Sequence, residues 1–170
     1  DLPMITDTIL PVALVVATFL ASLVAGLLFV FAIVVMPGIK RLTDQEFLRA
    51  FQAMDGIIQN NQPLFILVWG GSVAAVLGAT LLGLGQLDGS ARLLMLLAAL
   101  TYVVGVQLPT IAVNVPLNNR LQALDVNLLD ATTRHTVRSE FEPRWNRWNV
   151  IRTINASLAS AGFMILLALR

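Results

Sequence analysis

The residues of this chain best equipped for chemistry lie in Trp145-Asn-Arg-Trp-Asn-Val-Ile-Arg-Thr153, where a charged loop runs into the last apolar stretch. On helical spacing Trp145, Asn149, Arg152 and Ala156 share one face, at i, i+4, i+7 and i+11, so indole, amide and guanidinium meet at one depth. Pointed outward, the arginine snorkels to water; pointed inward, Asn149 and Arg152 form the polar end of a pocket. A second stripe, Gln107, Thr110 and Asn114 at i, i+3 and i+7, lies in an otherwise apolar run. Polar groups in hydrocarbon must find partners, so this stripe faces protein or a hydrated cavity. Pro109 sits among the same residues, removes one backbone hydrogen bond and frees the Gly105 carbonyl, which predicts a kink there. Proton-transfer candidates are Asp125, His135 and Glu142, all in the loop between the two stripes. Imidazole is the usual proton carrier near neutrality, which commends His135. Asp125 is preferred, because a short helix beginning at Leu117 can fold it back over the Gln107–Asn114 stripe; its alternative role is to terminate that helix.

The elements that must position these residues are membrane helices. The chain has 170 residues, of which 57% are hydrophobic and only 12% charged, too apolar for a soluble domain and too short for more than one domain. A formal charge of +1, with basic residues spread over the loops, leaves no basic run for nucleic acid. There are no cysteines and a single histidine, so disulfides, thiolate metals, iron–sulfur clusters and bis-histidine haem are excluded; no metal and no side-chain-held cofactor is expected.

Spans are expected at about 8–36, 64–85, 93–115 and 148–169, each near or above the roughly 20 residues a helix needs to cross the hydrocarbon. The run after Asp7 far exceeds a signal-peptide core of roughly 7–15 residues and reads as a retained membrane helix. Loop helices are expected at about 44–59, 117–124 and 131–147. The first opens on the capping box Thr43-Asp-Gln-Glu46 and carries Phe47, Phe51, Met54 and Ile58 as an apolar stripe, with Asp44, Arg49 and Asp55 off it. Pro116 is expected to end the third span, and Pro143 either to kink the last loop helix or to separate it from the fourth span. The fold class is thus all-α: an integral membrane four-helix bundle with amphipathic extra-membrane helices on one side.

Those loops hold Lys40, Arg41, Arg49, Arg120, Arg134, Arg138, Arg144, Arg147 and Arg152, against Arg92 and Arg170 on the other side. The positive-inside rule places the long loops in the cytoplasm and both termini outside, in a cell inner or plasma membrane.

Met36-Pro-Gly38 closing the first span, the capped helix from Thr43 to Asn61, Asn114-Val-Pro-Leu-Asn-Asn119, and Phe141…Trp145…Trp148-Asn149…Arg152-Thr153 together resemble the anthrone oxygenase-like family, over nearly the whole chain. The resemblance implies a small four-helix membrane protein, and an oxygenase that converts a tricyclic anthrone to the anthraquinone without added metal or flavin. It assigns no catalytic residue. Such a substrate reacts with oxygen once deprotonated, so a site needs a base, anion-stabilising donors and an apolar slot. Arg152 with the amides of Asn149, Asn114 and Asn118 can supply the donors, Gln107 adds a further amide, and Trp145 and Trp148 can stack on a flat ring. Arg152 with Asp125 or His135 would then be catalytic.

Two functions stay open on the residues alone. One is a cofactor-independent oxygenase acting on a lipophilic ring compound. The other is a non-catalytic subunit of a larger membrane complex, binding lipid, quinone or pigment, in keeping with the long uncharged first span and the small residues Gly70, Gly71, Ser72, Gly78 and Gly83 of the second. A transporter ranks behind both, because no acidic residue lies inside a span.

Overall fold

Five continuous helices account for the described chain. The computed structural model covers the backbone of residues 2–169 and the side chains of residues 9–169, so Asp1, the Asp7 side chain and Arg170 lie outside it. The first helix is α1 (Leu2–Val30), which passes through a π turn at Phe31–Val35 into α2 (Met36–Ile39). Then come α3 (Asp44–Gln59) and α4 (Pro63–Leu84). The next helix begins as α5 (Gly89–Tyr102), passes two π turns at Val103–Gln107 and Thr110–Asn114, and ends as α6 (Val115–Gln122). Last is α7 (Ala131–Ala168). No strand occurs among the described residues.

Four of these helices, Ile9–Ile39, Pro63–Leu84, Gly89–Gln122 and Ala131–Ala168, are long and apolar enough to cross a bilayer. Exposed leucines, isoleucines and valines such as Leu67, Leu81 and Ile154 face outward, where lipid is their only suitable solvent. The protein is an integral membrane protein. α1 packs on α4 and α7, and α5 packs on α7. Their core, which includes Leu14, Val24, Val76, Met95, Tyr102 and Phe163, fills the membrane part of the bundle. A second cluster of Met36, Phe47, Phe51, Leu121, Phe141 and Trp145 joins α3 to the loop end.

Two expected helix breaks do not occur. Pro116 does not end the third span, which continues to Gln122, and α7 runs unbroken for 38 residues through Pro143. At Pro143 the displaced carbonyl belongs to Ser139; both residues are exposed, so that carbonyl can turn to water.

Inside the bundle no such relief exists, and the backbone widens instead. The π turns end at Val35, Gln107 and Asn114, each two residues before a proline: Pro37, Pro109 and Pro116. In each case the residue just before the proline donates its N–H five residues back: Met36 to Phe31, Leu108 to Val103, Val115 to Thr110. The wider turn moves the i−4 carbonyl off the pyrrolidine ring, so the proline is carried without breaking the helix. The kink expected at Pro109 is realised as this pair of wide turns.

α3 begins as its sequence indicates. Thr43 N–H donates to Glu46 Oε2 at 3.0 Å and Glu46 N–H to Thr43 Oγ1 at 3.4 Å. The Thr43 hydroxyl, and after it the Thr43 N–H, hold the Glu46 carboxyl below the usual glutamate range. α3 folds onto the bundle: Phe47 and Phe51 of the expected stripe are buried and Met54 and Ile58 line the space beneath the helix, while Leu48 and Asp55 also turn inward beside that stripe.

Candidate functional site

The three π turns and α3 enclose a cavity of about 420 Å³ at the loop end of the bundle. That lies within the range of about 300–1,000 Å³ usual for small-molecule sites. Leu27, Leu28 and Phe31 supply one apolar wall, Phe51, Met54 and Ile58 the roof, and Phe65, Trp69, Ile111 and Val115 the side away from α7. Every π turn contributes to the lining, because a wide turn rotates side chains out of the ordinary helical register.

Arg152 forms the polar end. It is only 4% exposed, and among the described residues it has no carboxylate partner. Nη1 donates to Thr110 Oγ1 at 3.0 Å and Nη2 to Asn149 Oδ1 at 3.0 Å, while the guanidinium carbon lies 5.8 Å from the centre of the Trp145 ring. Nε has no acceptor. Burying an unpaired charge costs several kcal/mol, and two neutral acceptors with an aromatic face offset that only in part. Asn149 is fixed from its other end, Nδ2 donating to the Leu28 carbonyl at 3.1 Å. Asn114 Nδ2 reaches the Trp145 carbonyl at 3.4 Å and leaves its Oδ1 unpaired; Trp69 Nε1 donates to Gln107 Oε1 at 3.0 Å and leaves Gln107 Nε2 unpaired. Arg152 Nε, Asn114 Oδ1 and Gln107 Nε2 thus leave three unused hydrogen-bonding positions around one cavity.

The cavity lining also holds Asp55, 5% exposed and its one carboxylate. Asn118 Nδ2 donates to its Oδ1 at 2.7 Å, and Gln59 Nε2 and Gln122 Nε2 donate to its Oδ2 at 2.7 and 3.0 Å. Asn118 Oδ1 in turn accepts from Trp145 Nε1 at 2.8 Å, so one amide fixes both the carboxylate and the indole that faces Arg152.

Of the residues singled out from the sequence, Gln107, Asn114, Asn118, Trp145, Asn149 and Arg152 meet on this cavity. Trp148, Asp125 and His135 do not line it. Asp125 is exposed in the turn after α6, its Oδ1 accepting the Asn127 N–H at 3.0 Å. His135 is exposed on the first turns of α7, its Nδ1 3.1 Å from Asp44 Oδ2, and Glu142 accepts from Arg138 Nε at 2.8 Å. Asp125 is left in the turn before α7, while the continuity of α7 puts His135 on an exposed turn and Glu142 in an ion pair with Arg138, both away from the cavity. Asp55, by contrast, reads in the sequence as one of the solvated residues of α3. The signal that points to it is its place four residues after Phe51, together with the amides Gln52, Gln59, Asn118 and Gln122 that a buried carboxylate needs.

The sequence model of the family described as anthrone oxygenase matches residues 51–162, about two thirds of the chain. This chain belongs to that family. Within the anthrone oxygenase match lie Asp55, Gln107, Asn114, Asn118, Trp145, Asn149 and Arg152, whereas Leu27, Leu28 and Phe31 of the apolar wall precede it. No curated protein and no solved structure matches the chain.

Proposed function

We propose that this protein is a cofactor-independent oxygenase acting on a lipophilic, weakly acidic aromatic or polyketide compound. The observation that carries the proposal is Arg152, a buried guanidinium with an unpaired Nε and no carboxylate partner among the described residues, facing a largely apolar cavity whose one carboxylate is Asp55.

In this reading Asp55 accepts a proton from the acidified CH₂ of an anthrone-type ring. The electron pair left behind delocalises onto the ring oxygen, which lies against Arg152 and Asn149. Dioxygen takes up this electron density and forms a C–O bond at the same carbon. Cleavage of the O–O bond and loss of the second hydrogen give the carbonyl and water, so that CH₂ and O₂ become C=O and H₂O. The aromatic and aliphatic walls exclude bulk water, which strengthens the pairing of oxyanion and guanidinium.

The test is oxygen uptake by the purified protein in vesicles with an anthrone as substrate. Arg152→Ala is expected to lower turnover by about 10²–10³, the usual effect of removing a preorganised oxyanion donor. Undiminished uptake in that variant refutes the assignment. Tight binding of a phenol without oxygen uptake in the unaltered protein instead favours the second reading, a non-catalytic subunit that holds a quinone, pigment or lipid at the same cavity. The same proposal places the α3 side in the cytoplasm, on the excess of Lys and Arg in its loops.

A further inference from the structure

Two sides of the cavity differ in how they are closed. On the water side α3 is stitched to α6. Gln52 Nε2 donates to the Leu121 and Leu124 carbonyls at 2.8 and 2.9 Å, Gln122 Nε2 to the Gln52 carbonyl at 2.9 Å, and Gln59 Nε2 to Asn119 Oδ1 at 3.2 Å. On the opposite side α4 packs on α5 but not to a comparable extent on the π turns above it. The Trp69–Gln107 hydrogen bond closes the bottom of that interval. Beyond it the cavity lining from these two elements includes three apolar side chains: Phe65, stacked on Trp69 with ring centres 5.4 Å apart, Ile111 and Val115. Ile111 is 70% exposed although it lines the cavity, so this side chain belongs both to the pocket and to the outer surface. Both flanking helices are membrane spans, so that outer surface meets lipid.

We propose that the cavity is loaded sideways from the bilayer, through a slot between α4 and the Thr110–Asn114 turn, with Phe65, Ile111 and Val115 as the residues that select what passes. The occupant is a molecule already dissolved in lipid, flat and apolar, with one ionisable oxygen that reaches Arg152 after the ring has entered. Water-soluble anions are refused, since a charge would have to cross the apolar rim before meeting the guanidinium. This rests on the reading of the cavity as a binding site for a weakly acidic aromatic, but not on turnover there.

Because the chain has no cysteine, Ile111→Cys supplies a single thiol that can be modified after the protein has folded. The protein is placed in phosphatidylcholine vesicles, and a brominated naphthol is added that quenches the cavity indoles Trp69 and Trp145. Stopped-flow fluorescence then gives association and dissociation rates. Labelling Ile111→Cys with N-phenylmaleimide is expected to slow both association and dissociation by about tenfold or more, because a blocked route retards passage in both directions, whereas a label that merely crowded the pocket would speed dissociation. The same label on Arg120→Cys, on the exposed face of α6, is expected to leave both rates alone. Unchanged rates in labelled Ile111→Cys, or slowing only in labelled Arg120→Cys, overturn the slot in favour of a water route. If no quenching occurs even in the unlabelled protein, the pocket reading fails and the slot with it. If the label on Ile111→Cys gates quenching but oxygen is not consumed by the unaltered protein, the slot stands and the oxygenase reading alone falls.

Discussion

At the scale of residues, Asp55 is the group whose removal separates chemistry from architecture. Its three contacts are all with amide N–H donors, so Asp55→Asn keeps the shape but turns an N–H₂ toward one or more of them. One mismatched buried donor costs about 1–3 kcal/mol, which the fold should tolerate with a lowered Tm. Turnover is expected to fall by about 10²–10⁴, the usual worth of a positioned base, while the brominated naphthol still binds against Arg152. Oxygen uptake measured beside the fluorescence titration checks both halves. Retained uptake in Asp55→Asn would assign the base elsewhere. The two polar stripes are legible in the sequence because Asn149, Arg152, Gln107 and Asn114 stand in apolar runs, where period alone says which residues share a face. Asp55 is not, since a carboxylate on an amphipathic helix reads as solvated until the amides of α6, sixty and more residues away, are seen to close on it.

Among the elements, the π turns carry the most consequence. Each is tied to a proline two residues beyond it, and in the sequence the Met-Pro, Leu-Pro and Val-Pro pairs read as stops or kinks. Sequence locates the lost hydrogen bond but not how the backbone absorbs it: water solves the problem at Pro143, and widening solves it at Pro37, Pro109 and Pro116. Pro109→Ala restores an N–H and removes the ring, so the Val103–Gln107 turn can tighten toward ordinary α geometry and rotate Gln107 away from Trp69. The expected outcome is a folded protein with turnover lowered on the order of 10²-fold, the scale of an ångström misplacement in a site. Circular dichroism and oxygen uptake together check it. The start of α3 gives a prediction in pH. Glu46 is held below its usual range by Thr43, so its cap contributes above the pKa of a free glutamate and is lost as pH falls through the lowered native value. Corrected hydrogen-exchange protection of the Glu46 and Phe47 amides should fall across that acid window, and should be flat in Glu46→Gln.

The molecule as a whole is two packed units sharing one cavity. The four spans and their all-helical class are legible from composition and run length, because the bilayer imposes both. The lid is not: that α3 lies over the bundle depends on Gln52 and Gln122, exchanged like a handclasp between helices far apart in sequence. Gln52 supplies a donor to the Leu124 carbonyl just past the end of α6 and a second donor to the Leu121 carbonyl, which also accepts the Leu124 N–H at 3.2 Å. Gln122 returns one to the Gln52 carbonyl and one to Asp55. Gln52→Ala therefore strands the Leu124 carbonyl and leaves the Leu121 carbonyl with only the Leu124 N–H, and at about 0.5–1.5 kcal/mol for each of the two bonds lost the lid should loosen by about 1–3 kcal/mol. The membrane core around Leu14, Tyr102 and Phe163 shares none of these bonds, so its protection should not change. Hydrogen exchange in lipid nanodiscs reads the difference directly: α3 amides exchange faster in Gln52→Ala while α1 and α5 amides keep their rates. Equal loss in both would mean that lid and bundle open as one unit. A loosened lid also opens the water side of the cavity, and the rates of naphthol binding should then no longer respond to a label on Ile111→Cys.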